Sequence, residues 1–194
     1  MIILGIDPGL ANTGWGVVER AGDRFGCLGY GCLVTDTAAG LAERLRALHD
    51  GLAELLHEHA PDECAVENVY FSANARTAFA TGQARGAALV AVASAGVPVG
   101  EYGPGEVKLA VTGTGSADKR QVAYMVRAIL GLAEEPRPDH AADALAIAVC
   151  HANGRAGTAR RGAAGARQSA AGRAGRGWAA AVERAESKAA GGGR

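Results

Sequence analysis

No apolar run in this sequence approaches the ~20 residues needed to span a bilayer. The N-terminus, Met1-Ile2-Ile3-Leu4-Gly5-Ile6-Asp7, also lacks the basic stretch of a signal peptide and reaches an acid almost at once. A soluble cytoplasmic protein is expected, with no membrane partner. Metal-type cysteine motifs are missing too: Cys27, Cys32, Cys64 and Cys150 show no CxxC and no Cys/His zinc spacing. Reduced, mostly buried thiols are the expectation. Cys27 and Cys32 lie an odd number of positions apart, so within one strand they should face opposite sides. Internal repeats are absent.

Net charge is lacking as well, since 20 Lys and Arg balance 20 Asp and Glu. The balance hides an asymmetry. Residues 155–194 carry nine basic residues against Glu183 and Glu186, a net +7, which leaves residues 1–154 at −7. An acidic domain with a basic tail suggests a polyanionic partner or a solvated tail. From Gly154 the composition turns to Ala, Gly and Arg, with almost no large apolar side chain to offset the entropy of ordering. Residues 1–153 are therefore expected to form one domain, and 154–194 a disordered basic tail.

Within the domain, Ile2–Asp7 reads as a central strand ending in the turn signal Asp7-Pro8-Gly9. Thr13–Glu19 and Phe25–Val34 read as strands linked through Gly22 and Asp23. Leu41, Leu45, Leu48, Leu52, Leu55 and Leu56 mark one helical face, which Pro61 ends. Cys64–Asn68 is a second buried strand, Asn74–Ala95 an Ala-rich helix and Val97–Tyr102 a strand. Ser116 can cap a helix over Ala117–Leu130, and a last helix runs from Asp139 to about Asn153. A three-strand meander followed by alternating helices and strands implies a mixed sheet with helices on its faces.

Acids stand where such elements rarely carry them. Asp7 and Glu67 each end an apolar strand, where a carboxylate needs a partner to repay desolvation. His140 and Asp143 share one face near the start of the last helix, whose continuation through Ala144, Ile147 and Ala148 belongs against the sheet. Taken singly, each has a bland reading as a cap, an ion-pair partner or a solvated histidine. Their convergence from separate segments is what points to a site. Several carboxylates cannot all stay ionised in a dry site unless positive charge sits between them. Divalent cations answer that need: oxygen ligands favour Mg²⁺ or Mn²⁺, and an imidazole shifts preference towards Mn²⁺. Two such ions ~3.5–4 Å apart would stabilise the attacking and leaving oxygens of phosphodiester hydrolysis, with no covalent enzyme intermediate.

The runs Ile3-Leu4-Gly5-Ile6-Asp7-Pro8-Gly9, Ala65-Val66-Glu67-Asn68-Val69-Tyr70-Phe71, Gly82-Gln83-Ala84-Arg85-Gly86 and Asp139-His140-Ala141-Ala142-Asp143-Ala144-Leu145 closely resemble the RuvC family of Holliday-junction resolvases. Order and spacing match over roughly residues 1–152. The resemblance implies a ribonuclease H-like α/β fold with a mixed five-stranded sheet and helices on both faces. It also implies a homodimer that needs Mg²⁺ or Mn²⁺, nicks four-way junction DNA in recombination and repair, and works with RuvA and RuvB. Carried over residue by residue, Asp7, Glu67 and Asp143 match the family's catalytic acids and His140 its fourth ligand, while Asp139 reads as a helix cap. Lys108 and Lys119 match basic positions that contact DNA in the family; Arg76, Arg85 and Arg120 are further candidates. Tyr70 matches an aromatic implicated in junction distortion, with Phe71 beside it. The loop Thr112–Ser116, opening into a helix with Lys119 and Arg120, reads as an anion seat. The small residues Ala80, Gly82, Ala84, Gly86, Ala87 and Ala88 nominate their helix for the dimer interface. A C2 dimer would supply two sites for two symmetric cuts.

Two other readings remain open on sequence. Gly5-Ile6-Asp7-Pro8-Gly9 followed by Thr13-Gly14 also resembles the first phosphate loop of actin-like ATPases, though those folds need two such domains. A junction-binding module with a degenerate metal site is the other.

Overall fold

The computed structural model describes residues 1–68 and 75–162, with side chains placed for all of these except 75–76 and 155–162. Tyr70, Phe71 and the side chain of Arg76 lie outside the described residues. So do residues 163–194, most of the expected tail. Met1–Thr158 forms one compact unit.

Strands β1 (Ile2–Asp7), β2 (Asn12–Ala21), β3 (Arg24–Val34), β4 (Glu63–Glu67) and β5 (Val99–Tyr102) form one sheet in the order β3-β2-β1-β4-β5. The first three make an antiparallel meander; β4 pairs parallel with β1, and β5 parallel with β4. Parallel neighbours require crossovers. Helices α1 (Leu41–His59) and α2 (Ala75–Ser94) supply them. Alternation along β1 then divides the molecule. Leu4 and Ile6 enter a core with Leu52, Leu55, Leu56, Val66, Ala88 and Val92 under α1 and α2. Ile3 enters the opposite core with Val107, Val122, Val126, Leu145 and Ile147. That second core lies under α3 (Pro104–Thr112), α4 (Lys119–Leu130) and α5 (Asp139–Gly162).

Four local expectations change. Helix α3 was not foreseen: it is short, but Pro104 begins it and Glu106 accepts from the Gly103 amide at 2.7 Å. Asp118 rather than Ser116 caps α4. Its carboxylate accepts from Gln121 N while Gln121 Oε1 accepts from Asp118 N, a reciprocal pair that Ser116 could not make. Helix α5 runs on to Gly162 instead of ending near Asn153, because Ala and Arg extend an existing helix at little cost. Finally, a bulge at Val17/Val18 resets the register of β3, so that Cys27 pairs with Val18 and Cys32 with Gly14. Both partners face α5, and the two thiols share one side of the sheet instead of opposite sides.

Candidate nuclease site

The site lies where β1 and β4 end beneath the start of α5. Parity sends Ile3, Gly5 and Asp7 to the α5 face. Parallel pairing of Ile6 with Val66 sets Glu67 beside Asp7 on that face. Asp7 is 8% exposed. From the first turn of α5, His140 Nδ1 meets Asp7 Oδ2 at 2.7 Å. Asp143 Oδ2 accepts from Nζ of Lys119, the first residue of α4, at 3.1 Å. Asp7, Glu67, His140 and Asp143 line one cleft of about 340 Å³ with Lys108 and Lys119, over an apolar floor of Val107, Val122 and Ile147. All four expected ligands and both expected lysines thus come together.

The remaining candidates do not join them. Arg120 lines an adjoining groove that shares Lys119 and Asp143 with the cleft. Asp139 lines that groove as well and does not line the cleft. The Arg85 guanidinium is engaged by Glu101. In the expected anion seat, the Gln121 amide donates to the Asp118 carboxylate and Thr114 Oγ1 lies 3.0 Å from Ser116 Oγ.

Burial works against charge here. Desolvation raises the Asp7 carboxyl above its usual range, the His140 hydrogen bond opposes that rise, and the Asp143 charge adds to it. Desolvation also lifts Glu67, helped by Asp7 and Asp143, to about 7. The Lys119 ammonium is raised in turn, chiefly by Asp143. Among the described residues no three His, Cys, Asp or Glu side chains stand in an arrangement that would hold a metal ion as they are. In this arrangement His140 Nδ1 is paired with Asp7 and Lys119 Nζ with Asp143. The donor chemistry nonetheless fits a divalent cation. Three carboxyl groups and one imidazole line one cleft, two of the carboxyls are held above their ordinary range, and the positive charge beside them is the exposed Lys119 ammonium.

What lets α5 reach Asp7 is glycine, which sequence reasoning overlooked. A Cβ on Gly14 would lie 1.9 Å from the His140 carbonyl oxygen, and one on Gly5 would lie 2.1 Å from that of Ala144. On Gly16 it would meet Leu145 at 2.7 Å. At Gly5 and Gly14 helix backbone rests on sheet backbone, and at Gly16 the Leu145 side chain fills the space. The available signal was glycine recurring within strands, which marks close approach of another chain segment.

A meander extended by parallel strands, with acids gathered at the end of its first strand under a C-terminal helix, defines a ribonuclease H-like nuclease fold. The family described as crossover junction endodeoxyribonuclease RuvC matches residues 3–151, and the chain belongs to it. The RuvC crossover junction endodeoxyribonuclease of Pelotomaculum thermopropionicum is 52% identical over 153 residues, covering 79% of this chain and 93% of its own. That of Chloroflexus aggregans is 55% identical over 152 residues, covering 78% and 93%. A solved structure of T. thermophilus RuvC in complex with a Holliday junction substrate superposes with TM-score 0.77 at 45% identity, covering 81% of this chain and 97% of that one.

Proposed function

We propose that this endonuclease resolves four-way DNA junctions by paired symmetric nicks, with Asp7, Glu67, His140 and Asp143 holding Mg²⁺ or Mn²⁺, two ions per site. The observation that carries the reading is the convergence of those four side chains in one cleft that Lys108 and Lys119 also line. The ions would polarise the scissile phosphate and lower the pKa of an attacking water. The protein's part is to present oxygen ligands on two strand ends and one helix, and to keep one wall of the cleft dry with Val107, Val122 and Ile147. Lys119 would give up Asp143 to the cation and turn to the DNA backbone, where Lys108 already faces the cleft. Arg120 would extend that contact along the adjoining groove. Tyr70, following Glu67 in sequence, is assigned to stack on or wedge a base at the junction centre, with Phe71 and Arg76 nearby in sequence.

The second site comes from a second copy. Helix α2 buries Ala84 and Ala88 against its own sheet, so those two are withdrawn from the interface first assigned to it. Its other face leaves Phe79 70% and Val90 57% exposed, with open space above Gly82 and Gly86. That outward stripe suits a homodimer related by a two-fold axis. RuvA and RuvB remain the proposed partners by family likeness. Four free cysteines suit a reducing cytoplasm.

The test is a labelled four-way junction incubated with Mn²⁺ and either wild-type or Asp7→Asn protein. Wild type should give symmetric nicks; the variant should bind the junction as well but nick it at least ~100-fold more slowly. Equal loss of binding and nicking would make Asp7 structural.

A further inference from the structure

Two turns along α5 from Asp143, the helix carries a buried polar side chain outside the cleft. His151 is 4% exposed. Its Nε2 meets Glu63 Oε2 at 2.5 Å, and its Nδ1 meets the Tyr102 hydroxyl at 2.9 Å. The two rings stand nearly perpendicular, at 87°. Glu63 is the first residue of β4 and Tyr102 the last of β5. Gly100 makes the room: a Cβ there would lie 2.7 Å from His151 Nδ1. A carboxylate only accepts, so Nε2–H donates to Glu63, and the Tyr102 hydroxyl is the hydrogen-bond partner of Nδ1.

Stability alone does not account for this chain. A buried polar network contributes little beyond what packed hydrocarbon of the same volume would. It adds direction. At Gly5 itself, α5 meets the sheet through Ala144 and Ala148, whose small side chains give little directional hold, while Leu145 and Ile147 pack into the core beside them. Two hydrogen bonds to two different strands fix the helix both along and across the sheet. Those strands matter to the cleft. Glu67 ends β4, and Tyr102 is its register partner on β5. Asn68 N, next after Glu67, donates to the Tyr102 carbonyl at 2.8 Å.

We propose that Glu63, His151 and Tyr102 are positioning residues that lock the register of α5 against β4 and β5, holding His140 and Asp143 opposite Asp7 and Glu67. This inference rests on the metal site proposed above. Its test is Mn²⁺ binding without DNA, read by electron paramagnetic resonance of the free ion, with melting temperature measured in parallel. Tyr102→Phe removes one hydroxyl and keeps the ring; it should weaken Mn²⁺ by about tenfold, the low end for a residue supporting ligands indirectly. Glu63→Ala should do the same, while Glu63→Gln, which retains a carbonyl acceptor for Nε2–H, should stay within about twofold of wild type. If Tyr102→Phe folds poorly, the two Glu63 variants make the comparison with the ring and hydroxyl intact. Variants that melt lower but bind Mn²⁺ like wild type overturn the positioning role and leave the metal site standing. Wild-type protein that binds no Mn²⁺ overturns both.

Discussion

The two faces of the sheet differ in how closely a helix backbone approaches the strands. Beneath α1 and α2, branched side chains interdigitate: Leu4, Ile6, Val17, Leu52, Leu55, Leu56 and Val92. Beneath α5, the sheet presents Gly5, Gly14, Gly16 and Gly100 to His140, Ala144, Leu145, Ala148 and His151 of the helix, and Ile3, Val18 and Ile147 pack alongside. A thick layer of hydrocarbon absorbs small errors, because neighbouring side chains can repack around a change of volume. A helix seated on backbone has no such reserve. Both faces bury hydrocarbon, but at Gly5 and Gly14 the face that carries the acids has its geometry set by backbone atoms that no substitution can trim.

That contrast predicts a separation of effects. Gly14→Ala should cost nicking most, by at least ~100-fold, because displacing the His140 backbone moves two ligands by a sizeable fraction of an ångström or more. Leu52→Ala, at a residue 1% exposed on the opposite face, should cost about 2–5 kcal/mol of stability and lower the melting temperature by roughly 5–15 °C. Nicking per folded molecule should then be unchanged. A Leu52→Ala protein that is folded at the assay temperature yet nicks as poorly as Gly14→Ala would break the comparison, showing that the faces are mechanically coupled.

A smaller effect of opposite sign should come from Glu67 in the absence of metal. Its carboxyl stands at about 7 in the folded protein against a usual 4.5. Between those values the unfolded chain has released a proton that the folded chain keeps, so stability from this group is full below 4.5 and is lost as pH rises through 7. Glu67→Gln removes the penalty. In the presence of a chelator, the variant should melt higher than wild type at pH 8, on the order of 2 °C, and match it near pH 4, while nicking is lost. Asp7, raised in the same direction, keeps some pH slope in the variant. A variant that melts lower than wild type at pH 8 would mean that the Glu67 carboxylate is stabilising as it stands.

How much of this was legible in sequence follows from which interactions are local. The period-two run of β1, the Leu face of α1 and the acids at strand ends all announce themselves within a few residues. The convergence of Asp7, Glu67, His140 and Asp143 follows once α5 is laid on the sheet. The cap of α4 turned on a second residue, Gln121, three positions beyond Asp118. The shared side of Cys27 and Cys32 depends on a bulge that no composition signal marks. Gly5 and Gly14 sit inside two expected strands, and nothing local says what they approach until the helix that touches them is placed. His151, seen alone, is one more histidine on a helix. Long-range contacts between small residues leave no periodic trace, and the approach of α5 to Gly5 and Gly14 was missed for that reason.

The smallest expected effect concerns what lies beyond the compact unit. Every α5 residue assigned a role here falls between His140 and His151, so truncation after Gly162 should leave both faces as they are. The removed segment holds six Lys and Arg against Glu183 and Glu186, a surplus of positive charge able to displace counterions from a DNA arm. Deleting residues 163–194 should therefore leave Mn²⁺ binding and melting temperature at wild-type values. Junction affinity should fall a few-fold near 50 mM salt and hardly at all near 200 mM, since a contact made only of charge fades as salt rises. A deletion that instead weakens Mn²⁺ binding would show that the metal face extends past the residues that touch it. One that costs the same affinity at both salt concentrations would show that the segment does more than attract phosphate.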